Sequence, residues 1–215
     1  MITGERVTTL VDLMRHGEPV GGSRYRGQMD DPLSHSGWRQ MRQAVGQARP
    51  WDVIISSPLS RCFAFAEELS HASGIAVETD DRLKEIGFGE WQGKTREEIT
   101  QFDPGVVQRF YRDPTTYRPD GAEGLAEFRQ RVVEACKNML DRHSGKHLLV
   151  VCHAGVIRMV LSHILDIPLS NLFRIKVGEF HPEFFGQFAD DLQVGHPCGR
   201  GDNFCVMLDT AVAGR

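Results

Sequence analysis

The feature that most constrains the fold is a layout used three times. A short apolar run stops abruptly, cationic or titratable residues follow at once, and a helical pattern begins. Val7–Met14 is apolar and β-branched and stops at Arg15-His16-Gly17. Trp51–Ser56 leads into Ser57-Pro58, which read as a helix cap followed by proline at the first helical position, and Arg61 then falls on the first turn. His147–Cys152 is followed by His153-Ala154-Gly155 and a helix reaching Asp166. Such runs read as buried strands. Ile75–Thr79 adds another strand, Gly37–Ala48 and 57–72 read as helices, and 122–142 is the longest helix. Its stripe is Leu125, Phe128, Val132, Cys136 and Met139, spaced by threes and fours. Strands alternating with helices predict an α/β fold with a mostly parallel sheet.

A chain of 215 residues is about one domain's worth. We expect one domain over 1–215, with a small cap-like excursion at about 94–120, where Pro104, Pro114 and Pro119 break the pattern into short helices. The net charge of −4 argues against nucleic acid held by bulk charge, yet allows a locally positive site for a small anion. The five cysteines (Cys62, Cys136, Cys152, Cys198, Cys205) are widely spread and form no Cys-x-x-Cys pair. Reduced thiols in a cytoplasmic enzyme fit this better than a disulfide framework or a four-cysteine zinc site. No signal peptide or membrane-spanning run is evident. Short strands are expected near Phe173–Val177 and Asn203–Leu208. Between them, His181, His196, Cys198 and Asp202 match no standard metal-ligand spacing, so a surface loop is expected and no metal.

In a parallel sheet the carboxyl ends of the strands share one edge, and ligand sites form there. Arg15, His16, Arg61 and His153 are therefore expected to converge on one pocket, near helix N-termini that add partial positive charge. Two guanidinium forks suit a dianionic phosphate. A neutral imidazole beside them can attack phosphorus if its other nitrogen is held, usually by a backbone carbonyl. The departing oxygen needs an acid, and Glu85 in RLKEIGFGEWQG is a candidate. Singly, each residue has an ordinary reading: a structural histidine, a solvated arginine, an exposed carboxylate. The inference rests on their occurring together. A rival nucleophile is Cys152, because Cys152 to Arg158 has the Cys-x5-Arg spacing of cysteine-dependent phosphatase loops. That reading lacks the flanking residues of those loops and leaves Arg15, His16 and Arg61 unexplained.

Five segments, in order, resemble the histidine phosphatase superfamily, the phosphoglycerate-mutase-like phosphatases. They are LMRHGE (13–18), GQMDDPLSHSGW (27–38), ISSPLSRCFAFAEEL (55–69), LKEIGFGEWQG (83–93) and VVCHAGVIR (150–158). The resemblance implies a three-layer α/β/α sandwich. It implies that His16 is transiently phosphorylated, that Arg15, Arg61 and His153 bind the phosphoryl group, and that Glu85 protonates the leaving alcohol and then activates water. No cofactor or metal is implied.

The chain departs from the family pattern in places. Gly22 stands where many members carry a phosphate-contacting Asn, Gly121-Ala122-Glu123-Gly124 replaces a Gly-Gly-Glu-Ser segment, and 178–201 lacks a compact strand pair. The short stretch between Gly93 and Gly121 is more similar to the phosphatase branch, and within it to alpha-ribazole phosphatases of cobalamin biosynthesis. A broad-specificity phosphomonoesterase, phosphoglycerate-mutase-type transfer and a binding module on the same fold stand as alternatives. The aromatics Phe102, Phe110, Tyr111 and Tyr117 are expected either to reach a heterocyclic or apolar leaving group or to pack within the cap. The expected partner is a small phosphorylated metabolite, with no nucleic acid and no membrane, and a homodimer is compatible with the sequence.

Overall fold

In the computed structural model the described residues are 8–47 and 49–177, together with the backbone of 194–195 and 204–208. Four strands, β1 (Thr9–Arg15), β2 (Val53–Ser56), β3 (Val77–Thr79) and β4 (His147–Cys152), run parallel in the order β3-β2-β4-β1. The other two are β5 (Val194–Gly195) and β6 (Phe204–Leu208), the latter a strand the sequence leads one to expect; β6 pairs antiparallel with β1 and β5 antiparallel with β6. The remaining metal-ligand candidates of the tail, His181, His196, Cys198 and Asp202, lie outside the described residues.

Strand side chains alternate between two faces, and here both faces are apolar. On one, Val11, Leu13, Val53, Ile55, Leu148 and Val150 pack under α5 (Leu125–Arg142) and α6 (Ala154–Ile164). On the other, Met14, Ile54, Leu149 and Val151 pack under α1 (His35–Val45) and α2 (Ser60–Ser73). That double coverage explains why the strand sequences read as continuous apolar runs, and it produces the three-layer α/β/α sandwich. A single acid interrupts the second face. Asp12 is buried, and its Oδ2 accepts the indole N–H of Trp51 at 2.6 Å and lies 3.1 Å from His147 Nε2.

The excursion holds two short helices, α3 (Arg96–Thr100) and α4 (Val106–Arg112). A third apolar cluster of Trp91, Ile99, Val107 and Phe110, with Tyr25, Phe88 and Phe173 against it, seats them. Two local expectations are corrected. Ser57 does not cap α2: its N–H still bonds Val151 O in the sheet at 2.9 Å, and the helix begins three residues later. Phe173–Val177 is not a strand. Leu169–Arg174 coils into a 3₁₀ turn after Pro168, and the Phe173 ring packs on Phe110 at 4.8 Å.

The loop after β1 is pressed against the start of α1. Ser34 caps α1 by accepting the Gly37 N–H, and a Cβ on Gly37 would overlap the carbonyl of Glu18. That neighbour is backbone and cannot swing aside. Gly37→Ala is therefore expected to destabilise the fold by roughly 1–3 kcal/mol, measured by urea denaturation, and an unchanged midpoint would show that the contact is not fixed.

Candidate active site

His16 and His153 are each the first residue past a strand end, on neighbouring strands. Arg15 pairs with Cys152 in the β1–β4 register, and the His16 N–H continues the ladder to Cys152 O at 3.0 Å. The two imidazoles consequently meet edge to face, with centroids 5.1 Å apart. Arg61 arrives from the first turn of α2, one strand over. The topology thus delivers Arg15, His16, Arg61 and His153 to one place, and Glu85 joins them from the segment after β3.

His16 Nδ1 lies 2.7 Å from the carbonyl oxygen of Gly17. A carbonyl only accepts, so Nδ1 carries the proton and the lone pair of the neutral ring is on Nε2. Burial, reinforced by the Arg61 charge, lowers the His16 pKa to about 3. The same burial, with His16 and Arg61 nearby, holds His153 well below the ordinary histidine range. Both rings are therefore neutral at physiological pH. His153 Nε2 is 2.8 Å from the hydroxyl of Ser57, the serine that follows β2 rather than capping a helix.

Arg61 is almost wholly buried. Its two terminal nitrogens donate to the carbonyls of Met29 and Gly27 at 2.6 and 2.7 Å, while Nε has no acceptor among the described residues. Gly27 sits at φ +53, a conformation that suits glycine. The Glu85 carboxyl is gripped at both oxygens: Oε1 accepts the N–H of Ile86 at 2.9 Å, and Oε2 accepts that of Gly155, in the first turn of α6, at 3.1 Å. A Cβ on Gly155 would collide with this carboxyl, so the glycine of the His-Ala-Gly run makes room for Glu85.

Arg15, His16, Arg61 and Glu85 line a cleft of about 690 Å³, while His153 is fully buried behind it and is not among the lining residues. Six arginines line it (Arg15, Arg24, Arg26, Arg61, Arg96 and Arg158) against two acids, Glu18 and Glu85. Arg26 was not singled out from the sequence. It is buried, paired with Asp31 at 2.9 Å, and bonded to the carbonyls of Val20 and Gly22, so it shapes the loop in which Gly22 replaces the family's Asn. The aromatic expectation is corrected in part. Tyr111 lines the cleft, but Phe110 is packed beneath the cap, Phe102 is 90% exposed, and Tyr117 is not among the lining residues. The other aromatic walls are Tyr25, Phe88 and Phe173.

Cys152 lies outside the cleft. It is fully buried in the apolar layer under α5 and α6, and burial raises its thiol well above the usual range, so it is held as a neutral thiol. Arg158 does line the cleft, but its Nε is committed to Ile175 O at 2.9 Å. Among the described residues, no three His, Cys, Asp or Glu side chains are grouped to hold a metal, and no helix is long and apolar enough to cross a membrane.

The buried imidazoles set a pH dependence. Unfolded histidine titrates near about 6.5, whereas folded His16 titrates near 3. Below about pH 6.5 the unfolded chain binds more protons, so stability falls as pH drops through that window and is unaffected by these groups above it. The slope from each ring approaches roughly 1.4 kcal/mol per pH unit. The urea midpoint is expected to drop between pH 7 and 5, and His16→Asn should flatten part of that drop. An identical slope in the variant would contradict the burial of a neutral ring.

A sequence profile of the histidine phosphatase superfamily (branch 1) matches residues 11–181. The chain is 34% identical over 181 residues to the bifunctional protein Rv2228c of Mycobacterium tuberculosis, covering 81% of this chain and 50% of that protein. It thus spans about half the length of the first curated relatives it matches. Phosphoserine phosphatase 1 of Hydrogenobacter thermophilus is 32% identical over 167 residues, 75% of this chain and 78% of that protein. Among solved structures, the mycobacterial glucosyl-3-phosphoglycerate phosphatase Rv2419c superposes with a TM-score of 0.70 at 28% identity, over 79% of this chain and 85% of that one. The alpha-ribazole phosphatase from Shigella flexneri shares the fold, with a TM-score of 0.66 at 22% identity over 79% and 86% of the two chains. With its strand-end histidines, buried arginine and profile match over most of its length, this chain belongs to the histidine phosphatase superfamily, branch 1.

Proposed function

We propose that this protein is a phosphomonoesterase that hydrolyses a small phosphorylated metabolite through a phosphohistidine on His16. The observation that carries the reading is the state of His16: a neutral ring with Nδ1 tied to Gly17 O and its lone pair on Nε2, set among arginines in a deep cleft. In the first step that lone pair attacks phosphorus. The P–O bond to the leaving group breaks with its electron pair, and the leaving oxygen takes the Glu85 proton. In the second step water attacks the phosphohistidine and gives its proton to the Glu85 carboxylate. The P–N pair then returns to Nε2, which restores the starting state.

Arg15, Arg61 and His153 bind the phosphoryl oxygens and stabilise their charge in the transition state. The buried Arg61 Nε supports this assignment, because a donor without an acceptor costs stability that an anion would recover. On this reading the arginines supply the electrostatic role that a metal supplies elsewhere, and turnover is indifferent to chelators. For the substrate, we favour alpha-ribazole 5'-phosphate or a metabolite of similar size, handled in the cytoplasm. The aromatic walls Tyr25, Phe88, Tyr111 and Phe173 suit a flat leaving group. A comparison of kcat/KM for that compound, phosphoserine and 3-phosphoglycerate tests this choice, and a clear preference for either of the latter two would overturn it.

Hydrolysis of an aryl phosphate by two variants tests the nucleophile. His16→Ala is expected to lower kcat by about a thousandfold or more, because no other group reaches the same in-line position. Cys152→Ser should retain activity within about threefold, as a buried and inert thiol would. The reverse pattern would replace His16 with Cys152 as the nucleophile.

A further inference from the structure

Glu85 sits in a stretch of chain with little regular structure of its own. It lies between a 3₁₀ turn at Asp81–Leu83 and another at Gly89–Trp91. The N–H groups of Ile86 and Gly155 hold the carboxyl itself, but no strand or helix ladder fixes the backbone that carries it. The side-chain contacts that hold this backbone come mostly from one residue on α5. Arg131 Nη1 donates to the carbonyls of Arg82 and Lys84 at 2.6 and 2.7 Å, and Nη2 donates to the carbonyl of Glu85 itself at 3.1 Å. The rest of the fork closes on Glu123, with Nε to Oε1 at 2.6 Å and Nη2 to Oε2 at 2.8 Å. Glu123 in turn accepts the N–H of Gly87 at 3.1 Å.

One ion pair therefore grips the chain on both sides of Glu85. Both partners are mostly buried, with side-chain exposures of 19% and 17%, and neither lines the cleft. The Arg131 guanidinium also rests 4.6 Å from the centroid of the Phe128 ring, which is fully buried in the core. The clamp is thus anchored to the buried core. An arginine suits this place because its planar fork can hold several acceptors in one geometry, which the single ammonium of lysine does not reproduce.

We propose that Arg131 and Glu123 are positioning residues for proton transfer by Glu85, acting without touching the substrate. The inference rests on the reading of Glu85 as the leaving-group acid. Misplacing a catalytic group by about 1 Å can cost on the order of 100-fold, and general acid catalysis contributes about 100- to 10,000-fold. The cost falls where a proton is needed: an alkyl phosphate has a poor leaving group and needs the acid, whereas 4-nitrophenyl phosphate leaves readily without it. A role limited to stability would lower both substrates alike.

The test measures kcat/KM for an alkyl phosphate and for 4-nitrophenyl phosphate in Arg131→Lys, Glu123→Gln and Glu85→Gln. Arg131→Lys is expected to lower the alkyl value by about 10- to 100-fold and the nitrophenyl value by about threefold at most. Glu123→Gln should move the ratio in the same direction and decides the matter alone if the lysine variant does not fold. Equal losses on both substrates, or no loss, while Glu85→Gln remains selective for the alkyl substrate would overturn the clamp. If Glu85→Gln itself shows no such selectivity, the acid assignment has failed instead, and the inference falls with it.

Discussion

The site depends on keeping a part-buried imidazole uncharged among positive charges. Placing His16 against Arg15 and Arg61 costs nothing in charge repulsion so long as the ring carries one proton, and the Gly17 carbonyl decides which nitrogen carries it. Were the ring to take a second proton, a cation would be buried beside other cations, which is the arrangement that burial opposes most strongly. The depressed pKa and the lone pair left on Nε2 are therefore one fact seen twice. On the proposed mechanism, His16 can serve as the nucleophile because the site suits an anion better than a protonated histidine.

The surrounding fold serves that requirement in a hierarchy. The β1–β4 register places two strand ends side by side, so His16 and His153 meet through backbone hydrogen bonding alone. The two apolar faces of the sheet bury those strand ends under helices. Glycines then let backbone and carboxyl approach: Gly37 admits the Glu18 carbonyl, and Gly155 admits Glu85. The last layer is polar, with Arg26 tying its own loop around Gly22 and, at long range, Ser57 against His153 and Arg131 with Glu123 around the Glu85 segment.

The sequence makes the first layers legible and the last one obscure, for a physical reason. Strand ends followed by charged residues announce themselves locally, so Arg15, His16, Arg61 and His153 can be named from the chain alone, and the sheet carries them together. The long stripe of α5 is equally local. Ser57 misleads because Ser-Pro is a good helix opening, and only the bond of its N–H to Val151 shows that this residue, just past the end of β2, is still tied to β4. Phe173–Val177 misleads because Phe-Arg-Ile-Lys-Val alternates apolar and basic residues as a half-buried strand does, until the cap cluster that holds the Phe173 ring is known. Arg131 lies on the polar flank of an amphipathic helix, where a solvated charge is the default reading. Its acceptors are backbone carbonyls some 46 to 49 residues away, which no local pattern reveals.

The central claim is that phosphate passes through a covalent bond to His16. Rapid quenching of the wild-type enzyme during turnover of a radiolabelled phosphomonoester tests it most directly, followed by peptide mapping of the labelled protein. The account predicts a phosphoryl group that is lost in acid, survives in base and maps to the peptide holding His16. Label on the Cys152 peptide, or an acid-stable bond to any residue, would contradict it.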